Sequence, residues 1–359
     1  MRVGLLIYGD LEQLSGGYVY DRKLVDYLLA KGDEVEIVSL PARGYALNLL
    51  DNFSSGLRKR LLSLEVDVLV QDELNHPSLF WMNRTIKDQV NYPLVTIVHH
   101  LRCQEKNHPN ILKGLYSRIE KAYLESLDAY VFVSENTRAD VEALIGPRER
   151  FVLANPAGDR LEAVMPPEEI AERARQPGPL RIVFIGNLIW RKGLHFLFKA
   201  LGKMPADSWR LTVVGSLEVN PGYAGDMRRW VGVEGWYEQV TFTGALNDQA
   251  LVDRLAEAQV LAVPSSYEGY GIVYLEGMAL GLPAIASTEG AAREIITHGA
   301  DGFLVPLDNP ASLAAHLTGL HQDRQRLAEM GAQARARFDA HPTWEDTASR
   351  FRAFLLSQT

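Results

Sequence analysis

The chain has 359 residues, 47% of them apolar and 23% charged, with 37 Lys and Arg against 45 Asp and Glu and a formal net charge of −8. That length suits two average domains, each able to bury a core, in a soluble globular protein. The acidic balance argues against nucleic acid as a partner, which needs a basic surface to displace counterions, and the single cysteine, Cys103, excludes an intrachain disulfide and fits a reducing compartment.

At the N-terminus, "MRVGLLIYGD" has a short apolar run that soon meets Asp10 and Glu12. It reads as a buried first strand rather than a signal peptide. No stretch approaches the roughly 18 uncharged apolar residues of a membrane span, so a cytoplasmic location is expected. Next come Gly16 and Gly17 in "LSGGY", the helical "YVYDRKLVDYLLAKG" and the strand-like "EVEIVSL". "SGLRKRLLSL" sets Arg58, Lys59 and Arg60 beside leucines. A peripheral helix on the inner membrane face has this appearance, and so has an ordinary solvated helix. The strand-like runs "VDVLVQDE", "PLVTIVHH", "AYVFVSE" and "RFVLANP" follow, with "ILKGLYSRIEKAYLES" and "TRADVEALIG" as helices among them. Strands nearly continuous in Val, Ile and Leu suit a parallel sheet covered on both faces, and the alternation indicates an α/β doubly wound domain.

Residues 162–180, "EAVMPPEEIAERARQPGPL", break this rhythm and read as a linker. The α/β pattern then restarts with "RIVFIGN", "LHFLFKALGKM", "RLTVVGS", "QVTFTGA", "ALVDRLAEA", "VLAVPSS", "PAIAS" and "GFLVP". The tail "WEDTASRFRAFLLSQ" has helical apolar spacing. Two such domains in series would bind a ligand at the carboxyl ends of their strands, in a cleft.

The stretch "SSYEGYGIVYLEGMALGLP" concentrates the chemistry. Glu268 lies just past a strand, Gly269 and Gly271 allow a tight turn, and a helix is expected to begin near Ile272. The first turn of such a helix offers free amides to an anion, phosphate above all. Glu276, about one turn inside, can accept hydrogen bonds from a pair of hydroxyls, as a Rossmann acid does from ribose. The spacing fits one ligand with ribose, phosphates and a second sugar in that order. A turn acid and a helix acid, each favourable with the helix dipole, is the plain alternative.

These residues carry a resemblance. The pattern of Glu268 and Glu276 inside "PSSYEGYGIVYLEGMALGLPAIAS" resembles that of the retaining GT-B glycosyltransferases of family 4. "LSGGYVYDRKLVDYLLAKGDEV", "VFVSENTRADV", "NPAGD", "VFIGNLIWRKGLHFLFKAL" and "TWEDTASRFRAFL" extend it over nearly the whole chain. The resemblance implies two Rossmann-like doubly wound domains facing each other across a cleft: an acceptor domain over residues 1–165 and a nucleotide-sugar domain over 178–340. Residues 341–359 would be a helix crossing back to the first domain. It implies that Glu276 holds ribose, that Glu268 contacts the donor sugar, and that Gly269, Tyr270 and the amides of Gly271, Ile272 and Val273 surround the diphosphate. Lys192 matches the family's diphosphate lysine. Where the family has arginine after the glycine, this chain has Asn187, and Arg191 is the nearby cation. Gly16 and Gly17 would approach the reacting centre. Of the neighbours His99 and His100, His99 is the one the resemblance assigns to a donor-sugar hydroxyl.

The implied activity is metal-independent, retaining transfer of a hexose-type sugar from a UDP-, GDP- or ADP-sugar to a sugar, glycan, lipid-linked or small-molecule acceptor, with no cofactor. Cations and helix ends would neutralise the diphosphate. No D-x-D, no Cys/His cluster with metal spacing, no G-x-G-x-x-G after the first strand and no G-x-S-x-G appears. A nucleotide-sugar epimerase of the same fold and a catalytically idle sugar-nucleotide binder are the rival readings.

Overall fold

The structure, a computed structural model, describes residues 1–13, 15–105 and 109–359. Leu14 of the "LSGGY" stretch and residues 106–108 lie outside the described residues. The chain forms two compact units, one of Met1–Pro156 with Pro342–Thr359, the other of Ala157–His341.

In the first unit the strands are β1 (Arg2–Tyr8), β2 (Glu34–Leu40), β3 (Val68–Asp72), β4 (Leu94–Val98), β5 (Ala129–Phe132) and β6 (Phe151–Leu153). They form one parallel sheet in the order β2-β1-β3-β4-β5-β6, with Leu5 of β1 opposite Ile37 of β2 and Val70 of β3. Every residue of β3, β4 and β5 is buried. That is why these strands read as unbroken apolar runs rather than as alternation.

The last helix, Trp344–Leu356, belongs to this unit. Thr343 and Asp346 cap its start reciprocally. Trp344, Phe351 and Leu355 are buried, the Thr347 hydroxyl donates to the Asn155 carbonyl at 2.6 Å, and Arg352 pairs with Asp33 at 2.6 Å. In the basic helix Ser55–Leu62, Leu57 and Leu61 point into the core, Arg58 donates to Gln89 at 2.8 Å, and Arg60 reaches the carbonyls of Ile37 and Ser39. The apolar face that suggested a lipid surface is therefore part of the core. Among the described residues no helix is long and apolar enough to cross a membrane.

The second unit has β7 (Leu180–Ile185), β8 (Trp209–Val214), β9 (Val240–Gly244), β10 (Val260–Val263), β11 (Ala284–Ser287) and β12 (Gly302–Val305). Their parallel order is β12-β11-β10-β7-β8-β9. The chain builds outward from β7 to one edge, returns beside β7 with β10, and builds to the other edge. The loops after β7 and β10 therefore open side by side at the carboxyl ends, the place where such sheets bind ligands. In the first sheet β1 and β3 flank the corresponding position.

Each expected strand is present, with trimmed ends. The stretch read as a linker differs: it contains the helix Pro167–Arg175, with Ile170, Arg173 and Ala174 buried. Arg173 donates to the carbonyls of Leu280 and Gly281 at 2.7 and 3.0 Å. Residues 157–165 also go with the second unit. The turn at Gly158 packs so tightly on Leu275 that a β-carbon there would overlap its side chain, and Arg160 bonds to Glu276.

Candidate active site

The loop after β10 carries Ser265, Glu268, Gly269 and Tyr270 and ends at Gly271, where the helix Ile272–Ala279 begins. Gly271 sits at φ +109, and a β-carbon would run into the Tyr274 ring, so only glycine fits this turn. Glycine brings no capping side chain, and no acid stands in the first turn. The amides at this end are thus left to an incoming anion rather than consumed by a cap. The Tyr270 ring is buried with its hydroxyl 3.2 Å from His341 Nε2.

Glu268 is the centre of a charged knot. Its Oε1 accepts from Lys192 Nζ and from the Ser265 hydroxyl, each at 2.6 Å, and its Oε2 lies 3.6 Å from Arg191. Burial by itself would raise this carboxyl. The Lys192 and Arg191 charges and the two hydrogen bonds overcome that and hold it at about 2. Burial lowers the Lys192 ammonium, with Glu268 opposing. The loops after β7 and β10 are also stitched together: the Arg191 guanidinium donates to the Tyr267 carbonyl at 2.9 Å, and the Arg191 carbonyl accepts from the Ser266 amide at 2.7 Å. Asn187 accepts from the Ser216 amide at 3.4 Å and so ties the loop after β7 to that after β8. It contributes scaffolding where the resemblance expected a cation.

Glu276 is 3% exposed and is met by Arg160, whose Nε and Nη2 lie 2.9 and 2.8 Å from the same oxygen, Oε1. Arg160 also bonds Asp248, at the start of the helix Asp248–Glu257. Burial raises the Glu276 carboxyl above its ordinary range, against the pull of Arg160. Arg160 and Asp248 were not among the residues expected at the site. The only sequence signal for Arg160 is its place directly after "NPAGD".

In the first unit, Gly16 and Gly17 open the helix Gly16–Ala30, with Ser15 as its cap. The His99 ring lies against Gly17, where a β-carbon would come within 3.4 Å of it, and its Nε2 is 3.5 Å from Asp21. His99 and His100 lie past the end of β4 at Val98 rather than on it. His100 pairs with Glu105 at 3.1 Å. Burial lowers the His99 imidazole, but Asp21 and Asp72 outweigh it and raise it overall, favouring the imidazolium. Asp21, Asp72 and His99 bring ligand-type atoms within 4.8 Å of one another, as do Glu73, His76 and Glu120. The first set comes from separate stretches of the chain; in the second, Glu73 and His76 stand only three positions apart and Glu120 is distant. In the second set His76 Nε2 is 3.1 Å from the Tyr45 hydroxyl, Glu120 accepts the amides of Arg102 and Cys103, and the buried Glu73 carboxylate lies 3.0 Å from His76 Nδ1.

The geometry of the second unit thus places Asn187, Arg191, Lys192, Glu268 and Glu276 in the loops and helix beside the β7–β10 junction. The model of the glycosyl transferases group 1 family matches residues 166–337. A GDP-mannose-dependent monoacylated alpha-(1-6)-phosphatidylinositol monomannoside mannosyltransferase of Corynebacterium glutamicum is 30% identical over 265 residues, 69% of this chain and 67% of its own length. The chain belongs to the glycosyl transferases group 1 family. An uncharacterised glycosyltransferase of Methanocaldococcus jannaschii is 36% identical over 134 residues, 37% of this chain and only 33% of that protein. Among solved structures, sucrose-phosphate synthase from Thermosynechococcus elongatus superposes with a TM-score of 0.84 at 21% identity, covering 99% of this chain and 98% of that one. With the two parallel sheets, that likeness assigns the chain the GT-B fold.

Proposed function

We propose that this group 1 member is a retaining hexosyltransferase that uses a nucleotide-diphosphate sugar. One observation carries the reading. Two buried acids, Glu268 and Glu276, flank the uncapped start of the helix Ile272–Ala279, with Lys192 and Arg191 paired to the first acid. In this reading Glu276 accepts the ribose hydroxyls and the amides of Gly271, Ile272 and Val273 meet the diphosphate. Glu268, kept ionised by its cations, accepts a hydroxyl of the donor sugar.

The bond from the anomeric carbon to the phosphate oxygen breaks, and the acceptor oxygen bonds to the same face of that carbon. The acceptor's proton passes to the departing phosphate oxygen. Charge growing on that phosphate is what Lys192, Arg191 and the helix end stabilise, and such preorganised stabilisation is commonly the largest catalytic term. We assign recognition of the acceptor, a sugar, glycan, lipid-linked or small-molecule hydroxyl, to the first unit. No metal or cofactor enters this scheme.

The test is a panel of UDP-, GDP- and ADP-sugars read by thermal stabilisation, since a ligand that binds only the folded state raises its apparent stability. The stabilising donor is then assayed with acceptors, with and without a chelator, and the product anomer is read by NMR. Retention with chelator-insensitive turnover is expected. Inversion contradicts the mechanism, and donor consumption without acceptor points to an epimerase.

A further inference from the structure

The loop that begins the second unit is held in an unusual way. Asp159–Leu161 is a single turn, and Glu162, which closes it, is the only non-glycine residue with positive φ, at +51, among the described residues. A glutamate in that region carries a conformational cost that the surroundings must impose. Within this turn stands Arg160. Its guanidinium spends Nε and Nη2 on one oxygen of Glu276 and reaches Asp248 with Nη1. The turn itself is clamped by Gly158 against Leu275, next to Glu276 in the chain.

We infer that Arg160 is a positioning residue for the nucleoside-binding acid: it fixes the Glu276 carboxylate through Oε1, anchors it to Asp248, and leaves the other oxygen aimed to receive the ribose hydroxyls of a nucleoside diphosphate. The inference rests on the donor reading above. A planar fork bound at two points sets the orientation of a carboxylate in a way that a point charge cannot. It also favours the ionised carboxylate. Burial and Asp248 both push the Glu276 proton on, and Arg160 is what pulls against them. The helix Arg324–Asp339, packed against Ile272–Ala279, carries Arg335 and Arg337. Arg335 is committed to Asp339 and the Met165 carbonyl, and Arg337 to the carbonyls of Glu294 and Ile295. Neither replaces Arg160.

Two measurements decide it. The first is the carboxyl-carbon NMR titration of Glu276 in the ligand-free chain, in wild type, Arg160→Gln and Arg160→Lys. Its midpoint rises by about one unit or more in Arg160→Gln and less in Arg160→Lys. The second is calorimetric binding of UDP, GDP and ADP across pH. For the diphosphate that wild type prefers, Arg160→Gln binds about ten-fold more weakly near neutral pH, recovers as pH rises through the new midpoint, and is partly rescued by lysine. An unchanged midpoint, or a loss of affinity that is the same at every pH, overturns the inference, since a merely structural role gives the latter. Should Arg160→Gln fail to fold, Arg160→Lys reads the same two quantities. If wild type binds none of the three, the donor reading falls and the ribose role with it, while the titration still decides the clamp.

Discussion

Replacing Lys192 by methionine would leave the Glu268 carboxylate 6% exposed, with Arg191 at 3.6 Å as its nearest remaining cation. Removing one member of a buried ion pair costs about 3–5 kcal/mol, and this variant should fall near the lower end because Arg191 stays. Urea unfolding checks it. In the proposed mechanism the same lysine stabilises a charge that grows during transfer, so Lys192→Ala should lower kcat more than donor affinity. Glu268 also has a pH signature. Its carboxyl is held at about 2, below the ordinary 4.5, so its contribution to stability is present above pH 4.5 and is lost as pH falls through about 2. The gap in urea midpoint between wild type and Glu268→Gln should close over that window. Glu268 and Glu276 stand out in the sequence because glycines and a strand end surround them, and Lys192, which the structure pairs with Glu268, stands out only through the resemblance. Arg160 was not legible there, because its partners Glu276 and Asp248 lie 116 and 88 positions away, and no local pattern reports such a pairing.

The helix Ile272–Ala279 and its glycine start act as one element. Gly271→Ala places a β-carbon against the Tyr274 ring at a φ that alanine resists, at a cost of about 1–3 kcal/mol. It should lower the melting temperature and weaken nucleoside diphosphate binding together, as calorimetry can show. The twelve strands were legible because buried parallel strands are short apolar runs between glycines and polar turns. The helix Pro167–Arg175 was masked by its composition. Its prolines and charges suggested a linker, yet Pro167 at the first turn, Glu168 and Glu169 after it and Arg173 and Arg175 in the last turn are the ordinary marks of a helix. Only Ile170 and Ala174, four apart, show the face it buries.

Across the whole molecule, two parallel sheets of the same class differ in strand order. In the second, β7 and β10 lie side by side and bring Lys192 to Glu268; in the first, β1 and β3 do so and bring Asp21 near Asp72 and His99. The last helix returns to the first unit, where Trp344, Phe351 and Leu355 are buried. Burying each is worth about 1.5–3 kcal/mol. Deleting residues 342–359 should therefore speed hydrogen exchange in Met1–Pro156 and leave Ala157–His341 close to wild type, as mass spectrometry would resolve. Residues 157–165 join the second unit through Gly158 on Leu275, Arg160 on Glu276 and Asp248, and the Met165 backbone on Ala279 and Arg335, contacts that no periodic pattern in the sequence reports.

The most direct measurement is a crystal structure of the chain soaked with the nucleotide sugar that stabilises it most. The ribose should lie on Glu276, the diphosphate on the amides of Gly271, Ile272 and Val273 beside Lys192, and the sugar within reach of Glu268. A ligand bound away from these groups, or a bound diphosphate with both acids turned to solvent, would contradict the account.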